Sequence, residues 1–170
     1  TDPKKNTPGT LKAYAEYVRR SENPLPLLVA DLGEQPAEAI LREIGEPRLR
    51  GMLRLAGYIP NSDLPAIYNR ASAFLYTSLR ESFGIPQLEA MACGTPVVTS
   101  ATSAIPEVAG EGAILVDPTD PKAIADALLR LETDAAFRAR QVAYGLERVK
   151  RFSWEKTARH LLTLYESLGK

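Results

Sequence analysis

The stretch Ala73-Phe74-Leu75-Tyr76-Thr77-Ser78-Leu79-Arg80-Glu81-Ser82-Phe83-Gly84-Ile85-Pro86-Gln87-Leu88-Glu89-Ala90-Met91-Ala92-Cys93-Gly94-Thr95-Pro96-Val97-Val98-Thr99 contains one complete strand, loop, helix and strand. Residues 73–77 and 96–99 are near-continuously apolar, the pattern of a parallel strand covered on both faces. Between them, residues 86–93 read as a helix. Pro86 stands near its first position, where a missing N–H costs nothing.

The same alternation extends outward. Residues 25–30, 52–56 and 113–116 are further apolar runs, and residues 8–20, 36–44 and 63–69 are helix candidates. Pro8 and Pro36 mark helix starts, and Ser62 is the expected cap of the third. Strand and helix alternating through short connections predict an α/β fold. The expected architecture is a Rossmann-like, doubly wound parallel sheet with helices on both faces and right-handed crossovers. After Val116 the strands stop. Residues 121–132, 135–150 and 153–168 predict a C-terminal helical tail, with Ser153 as a cap and Trp154 anchoring the last helix onto the body. Without repeat or linker, residues 1–170 are expected to form one domain.

Composition narrows the function. At 170 residues, with 45% hydrophobic and 25% charged, the chain is neither disordered nor collagen-like. Lysine plus arginine and aspartate plus glutamate are 21 each, so no nucleic-acid partner is expected. The single cysteine, Cys93, permits no intrachain disulfide and no cysteine metal cluster, which favours a reducing compartment. No apolar run approaches the ~20 residues of a membrane span, and no signal peptide is visible. A cytoplasmic location is expected, with at most peripheral contact at the inner face of a membrane. The tail's Arg138, Arg140, Arg148, Lys150 and Arg151 are interspersed with Glu132, Asp134 and Glu147, as on a solvated face. The opening Thr1-Asp2-Pro3 reads as an excised piece.

In an open parallel sheet, ligands bind beyond the carboxyl ends of the strands, so the segment after Thr77 is the place to look. Glu81 lies in the loop, and Glu89 falls about one turn into the helix. Gly84 between them lets a backbone approach a ligand closely. The helix N-terminus offers partial positive charge and unpaired N–H donors to a phosphate. Glu89 beside it is an acceptor suited to a sugar diol, and Glu81 reaches a group beyond the phosphate. The residues alone therefore describe a phosphate flanked by two hydroxyl-rich groups; two solvated glutamates are the alternative. His160, the only histidine, has no partner triad nearby and reads as a surface or packing residue. Cys93 reads as a small core residue, and the absence of Asp-x-Asp argues against a metal-bridged diphosphate site.

Glu81-x7-Glu89 enclosing Ser82-Phe83-Gly84-Ile85-Pro86, and continuing through Ala90-Met91-Ala92-Cys93-Gly94-Thr95-Pro96-Val97-Val98, resembles a family signature. It is that of retaining glycosyltransferases of the GT-B fold, family 4 (glycosyl transferases group 1). Gly57-Tyr58-Ile59, Ile105-Pro106-Glu107-Val108 and Val116-Asp117-Pro118 are further family-like stretches. The resemblance is to the C-terminal, donor-binding domain and covers nearly the whole chain. It implies that Glu89 binds the ribose of a nucleotide-sugar donor and that Glu81, the candidate catalytic residue, contacts the transferred sugar. It also implies that the N–H groups of Phe83, Gly84 and Ile85 meet the diphosphate and sugar. Lys5 matches the family's diphosphate lysine, with Lys4 competing for the role. Tyr58 and Ile59 would supply main-chain contacts to the base, a purely structural strand end being the alternative. The implied donor is a UDP- or GDP-sugar, transferred as a mannose- or glucose-type hexose to a glycan or lipid-linked acceptor, with no cofactor and no metal. The family's phosphate-binding arginine, its first strand and the N-terminal acceptor domain would all lie upstream of Thr1. The rival readings are a non-catalytic nucleotide-binding module or subunit, and another GT-B enzyme such as a phosphorylase or epimerase.

Overall fold

Among the described residues, five short parallel strands form the centre, and the expected apolar runs supply all of them. The computed structural model describes residues 2–169. The strands are β1 (Leu27–Ala30), β2 (Leu53–Gly57), β3 (Phe74–Tyr76), β4 (Val97–Ser100) and β5 (Ile114–Val116). The helices between and around them are α1 (Thr7–Arg20), α2 (Glu34–Glu43), α3 (Leu64–Arg70), α4 (Ile85–Ala92) and α5 (Ile105–Ala109). The tail is α6 (Pro121–Thr133), α7 (Ala135–Val149) and α8 (Trp154–Leu168). The unexpected α5 is only five residues long, too short to leave a helical period in the sequence.

The strands divide into two sheets. β1 pairs with β2, with Leu27 opposite Leu53. β3, β4 and β5 pair in that order, with Phe74 opposite Val97 and Val98 opposite Ile114. Among the described residues, no pairing joins β1 to β3. The helical layer nevertheless runs across both sheets. Leu11 and Tyr14 of α1 pack into a core with Leu32, Leu41 and Leu53. Ala13 of the same helix packs into the core holding Val98, Val116 and Leu131, and Leu128 of α6 touches both.

Burial follows this division. All four residues of β4 are buried, as a central parallel strand requires. β1 instead alternates between half-buried and exposed positions, although its apolar run suggests cover on both faces; Leu28 is 46% exposed. The alternation places Leu28 and Ala30 on one face of β1, and that face is left uncovered.

Helix starts are partly as expected. Asp120 accepts from the N–H groups of Lys122 and Ala123, Asp134 from that of Phe137, and Ser153 from that of Lys156. Each such cap contributes about 1 kcal/mol. Ser62 is not a cap. Asp63 holds that position with helical backbone (φ −95°, ψ −18°), which does not let a side chain reach back, and the Ser62 hydroxyl only donates to the Asp63 carboxylate. α2 begins at Glu34, so Pro36 falls third in it, still within the turn whose N–H groups need no helical partner.

The largest departure is α8. Trp154 does not anchor it: the ring is 82% exposed, and no residue of the helix is buried. Leu161, Leu162, Leu164, Tyr165 and Leu168 are also exposed. An amphipathic pattern predicts that a face will be covered but not what covers it.

Candidate functional site

The loop after β3 is held from several sides. Thr99 Oγ1 donates to the Tyr76 carbonyl (2.9 Å), Ser100 Oγ to that of Ser78 (2.6 Å) and Thr102 Oγ1 to that of Leu79 (3.1 Å). The Leu79 N–H donates to the Lys4 carbonyl (2.7 Å), and the Glu81 N–H to Ser103 Oγ (3.0 Å). Asn6, in the left-handed region at φ 55°, donates from Nδ2 to the carbonyls of Thr77 (3.1 Å) and Pro118 (2.9 Å). These bonds fasten the segment before α1 against the end of β3.

That fastening brings Lys5 to Glu81. Lys5 Nζ lies 2.6 Å from Glu81 Oε1, although 76 positions separate them. Lys4 has no such contact; its backbone N–H donates to the Asp2 carboxylate instead. Burial pushes the Glu81 carboxyl up, but the hydrogen bonds from Lys5, Tyr76 and Ser78, with the Lys5 charge, hold it below the ordinary glutamate range. The Tyr76 hydroxyl is pushed well above its usual value by burial, and further by Glu81, so it remains a donor.

A lowered carboxyl pKa sets the sign of a pH effect. The pair's stabilisation is fully present above the unfolded glutamate range of about 4.3 and is lost as pH falls through the lower folded value. Glu81→Gln is therefore expected to destabilise the protein at pH 7 and to lose that effect at strongly acidic pH, as followed by denaturant melts. An equal effect at both pH values would show that the charge plays no part.

Gly84 sits beneath this pair as the residue before α4. Its φ of +90° disfavours any side chain, and a Cβ there would come within 2.9 Å of Gln87 Nε2 and 3.5 Å of the Tyr76 ring. No side chain caps α4, so the donors of its first turn have no capping partner. Phe83 and Ile85 are exposed on either side of Gly84. Glu89, one turn beyond Ile85 and on the same face, is also exposed. The buried Tyr68 donates to Glu89 Oε2 (3.4 Å); burial, and then the Glu89 charge, push its hydroxyl up to about 12. Tyr58 and Ile59 follow the carboxyl end of β2 in the other sheet, Tyr58 79% exposed and Ile59 half-buried.

Lys5, Glu81, Phe83, Gly84 and Ile85 thus surround the start of α4. Tyr58 and Ile59 belong to a different strand end. The sequence reading passed over Asn6, Tyr76, Tyr68, Thr102 and Ser103. Its one available signal was the run of polar residues that close β3 and β4, where Thr77, Ser78, Thr99 and Ser100 are all buried. The tail also reaches this loop: Phe152 meets Phe83 edge to face at 5.8 Å, and the Arg148 guanidinium lies over Phe152 while donating to the Glu107 and Val108 carbonyls. Cys93 is half-buried against the core of Met91 and Tyr68, and His160 is exposed on α8. Among the described residues, no three His, Cys, Asp or Glu side chains gather into a metal-holding group. Also among them, no helix is long and apolar enough to cross a membrane.

Parallel strands flanked by helices, with a polar cluster at the carboxyl ends beside the start of α4, define a doubly wound α/β domain. The model of the family described as "Glycosyl transferases group 1" matches residues 1–148, and the chain belongs to that family, whose fold is GT-B. It is 35% identical over 167 residues to an O-antigen chain mannosyltransferase B of Escherichia coli, matching 98% of this chain and 44% of that one. Sucrose-phosphate synthase of Thermosynechococcus elongatus superposes with a TM-score of 0.80 at 29% identity, over 98% of this chain and 43% of that one. Alr3699/HepE of Anabaena, solved in complex with UDP, shares the fold at a TM-score of 0.81 and 20% identity, over 98% and 46%. The chain therefore spans less than half the length of each of these relatives.

Proposed function

We propose that residues 1–170 are the nucleotide-sugar-binding domain of a retaining, metal-independent glycosyltransferase. The observation that carries this reading is the Lys5–Glu81 pair, closed at 2.6 Å beside the uncapped start of α4. In that geometry a cation and a helix N-terminus converge on one small volume, with a carboxylate at its rim. A donor diphosphate would take the ammonium and the N–H groups of Phe83, Gly84 and Ile85. Glu81, released from Lys5, would turn to the sugar hydroxyls near the reacting carbon. Glu89 would hold the ribose diol, and Tyr58 and Ile59 would meet the base through their main chain.

The reaction breaks the bond between the sugar's reacting carbon and the diphosphate oxygen. Negative charge grows on the leaving oxygen, and Lys5 and the start of α4 stabilise it. The acceptor hydroxyl attacks from the face that the diphosphate leaves, which retains the configuration. A mannose- or glucose-type hexose moves from a UDP- or GDP-sugar to a glycan or lipid-linked acceptor; the O-antigen mannosyltransferase among the relatives supports polysaccharide synthesis as the setting. The acceptor wall, and a further strand, belong to the rest of the protein. The unpaired edges of β1 and β3 and the uncovered face of α8 support that part of the reading. The enzyme works in the cytoplasm, with at most peripheral membrane contact.

Calorimetric titration with UDP, GDP and their sugar conjugates tests this. With one wall of the cleft, water reaches the diphosphate and weakens each contact. The 170-residue chain is expected to bind a nucleoside diphosphate with Kd roughly 0.1–1 mM, about −4 to −5.5 kcal/mol, weakening with salt. It should transfer no sugar. Failure to bind any of the ligands would overturn the donor-site reading, and micromolar binding or measurable transfer would show that one wall suffices.

A further inference from the structure

Gln87 is a polar side chain in a fully buried place. It is 0% exposed, and its carboxamide lies under Gly84. Nε2 donates to the Phe83 carbonyl at 3.4 Å, while Oε1 is buried with no partner. Turning the amide over would set two acceptors face to face, so the Phe83 carbonyl fixes which edge points at it. A buried oxygen without a donor carries a desolvation cost, which a leucine or methionine of similar size would avoid. Fold stability therefore does not explain a glutamine here. Its position does.

The peptide bond between Phe83 and Gly84 is trans, as are all the described bonds, so its C=O and N–H point in opposite directions. A Phe83 carbonyl drawn to the buried Gln87 amide directs the Gly84 N–H to the opposite side, away from Gln87. The left-handed backbone of Gly84 lets the chain turn from that peptide straight into α4. We propose that Gln87 is a positioning residue for the anion site: by holding the Phe83 carbonyl inward, it aims the Gly84 N–H at the bound phosphate. This rests on the donor site proposed above. At 3.4 Å the bond is long, and its effect is directional. Without it, the 83–84 peptide is free to rotate and present a carbonyl oxygen to an anion.

The test uses the ¹⁵N-labelled 170-residue chain, titrated with inorganic pyrophosphate and with UDP and followed by NMR, with thermal unfolding measured in parallel. Gln87→Leu removes the donor, and Gln87→Met does so while keeping length and flexibility, should leucine pack poorly. Wild type is expected to show a large shift of the Gly84 amide on pyrophosphate addition. Both variants are expected to lose that shift and to bind about fivefold or more weakly, the scale of one neutral hydrogen bond, with Tm unchanged or raised. Wild-type affinity and an unaltered Gly84 shift in the variants would overturn the proposal. So would a fall in Tm accompanying the loss of affinity, which would mark Gln87 as structural. A wild-type chain whose amides ignore both ligands would overturn the anion site itself, and with it this role; that result needs no variant and is told apart on that ground.

Discussion

Replacing Glu81 by Gln, with the rest of the protein present, is expected to lower turnover by roughly 10²–10³-fold while changing nucleotide affinity little. The magnitude is that of removing one preorganised electrostatic contact to a developing charge, about 2.7–4 kcal/mol. The asymmetry follows from position. The Glu81 backbone is held by its bond to Ser103, and in the proposed reading its carboxylate stands on the sugar side of the diphosphate. An interaction that strengthens only as the sugar departs lowers the barrier without tightening ground-state binding. Lys5 pairs with the carboxylate in the structure, and under the proposed reading its release to the diphosphate would join donor binding to the freeing of Glu81. Steady-state kinetics with the intact donor, beside calorimetry with the nucleoside diphosphate, separate the two quantities. A variant that loses affinity and turnover equally would reduce Glu81 to a binding residue.

Glu89→Ala is expected to act on affinity instead. Loss of a charged acceptor for the ribose diol should weaken nucleoside-diphosphate binding by about 1.5–3 kcal/mol, roughly 10–150-fold. The fold should be almost unaffected, because Glu89 is exposed and its protein contact is a long bond from Tyr68. Deoxyribose analogues sharpen the test: wild type should discriminate against them and the variant should not. Unchanged affinity in a folded variant would remove Glu89 from the site.

Much of this protein was legible before its structure. Apolar runs bounded by turn residues placed all five strands, and proline positions with helical periods placed every α-helix except the five-residue α5; the short 3₁₀ turns at 3–5, 47–52 and 110–112 left no such signal. Gly84 between Glu81 and Glu89 marked the turn into α4, where the backbone enters the left-handed region at φ +90°. Failures came where a side chain's fate depends on something distant. Ser62 looked like a cap, but the backbone at Asp63 decided otherwise. Trp154 looked like an anchor, yet among the described residues none of α8 is buried.

Strands, helices, and the spacing of Glu81, Gly84 and Glu89 were determined by the sequence alone, because hydrophobic period and turn chemistry act over a few residues and are written in consecutive letters. Tertiary structure decided which lysine faces Glu81, the clamp of Asn6 on Thr77 and Pro118, the edge that Gln87 turns to Phe83, and the division of the strands into two sheets. Lys5 and Glu81 are 76 positions apart, and Asn6 and Pro118 are 112 apart. No local preference encodes such a meeting. It exists only once α1 has packed across both sheets and carried the segment before it to the end of β3.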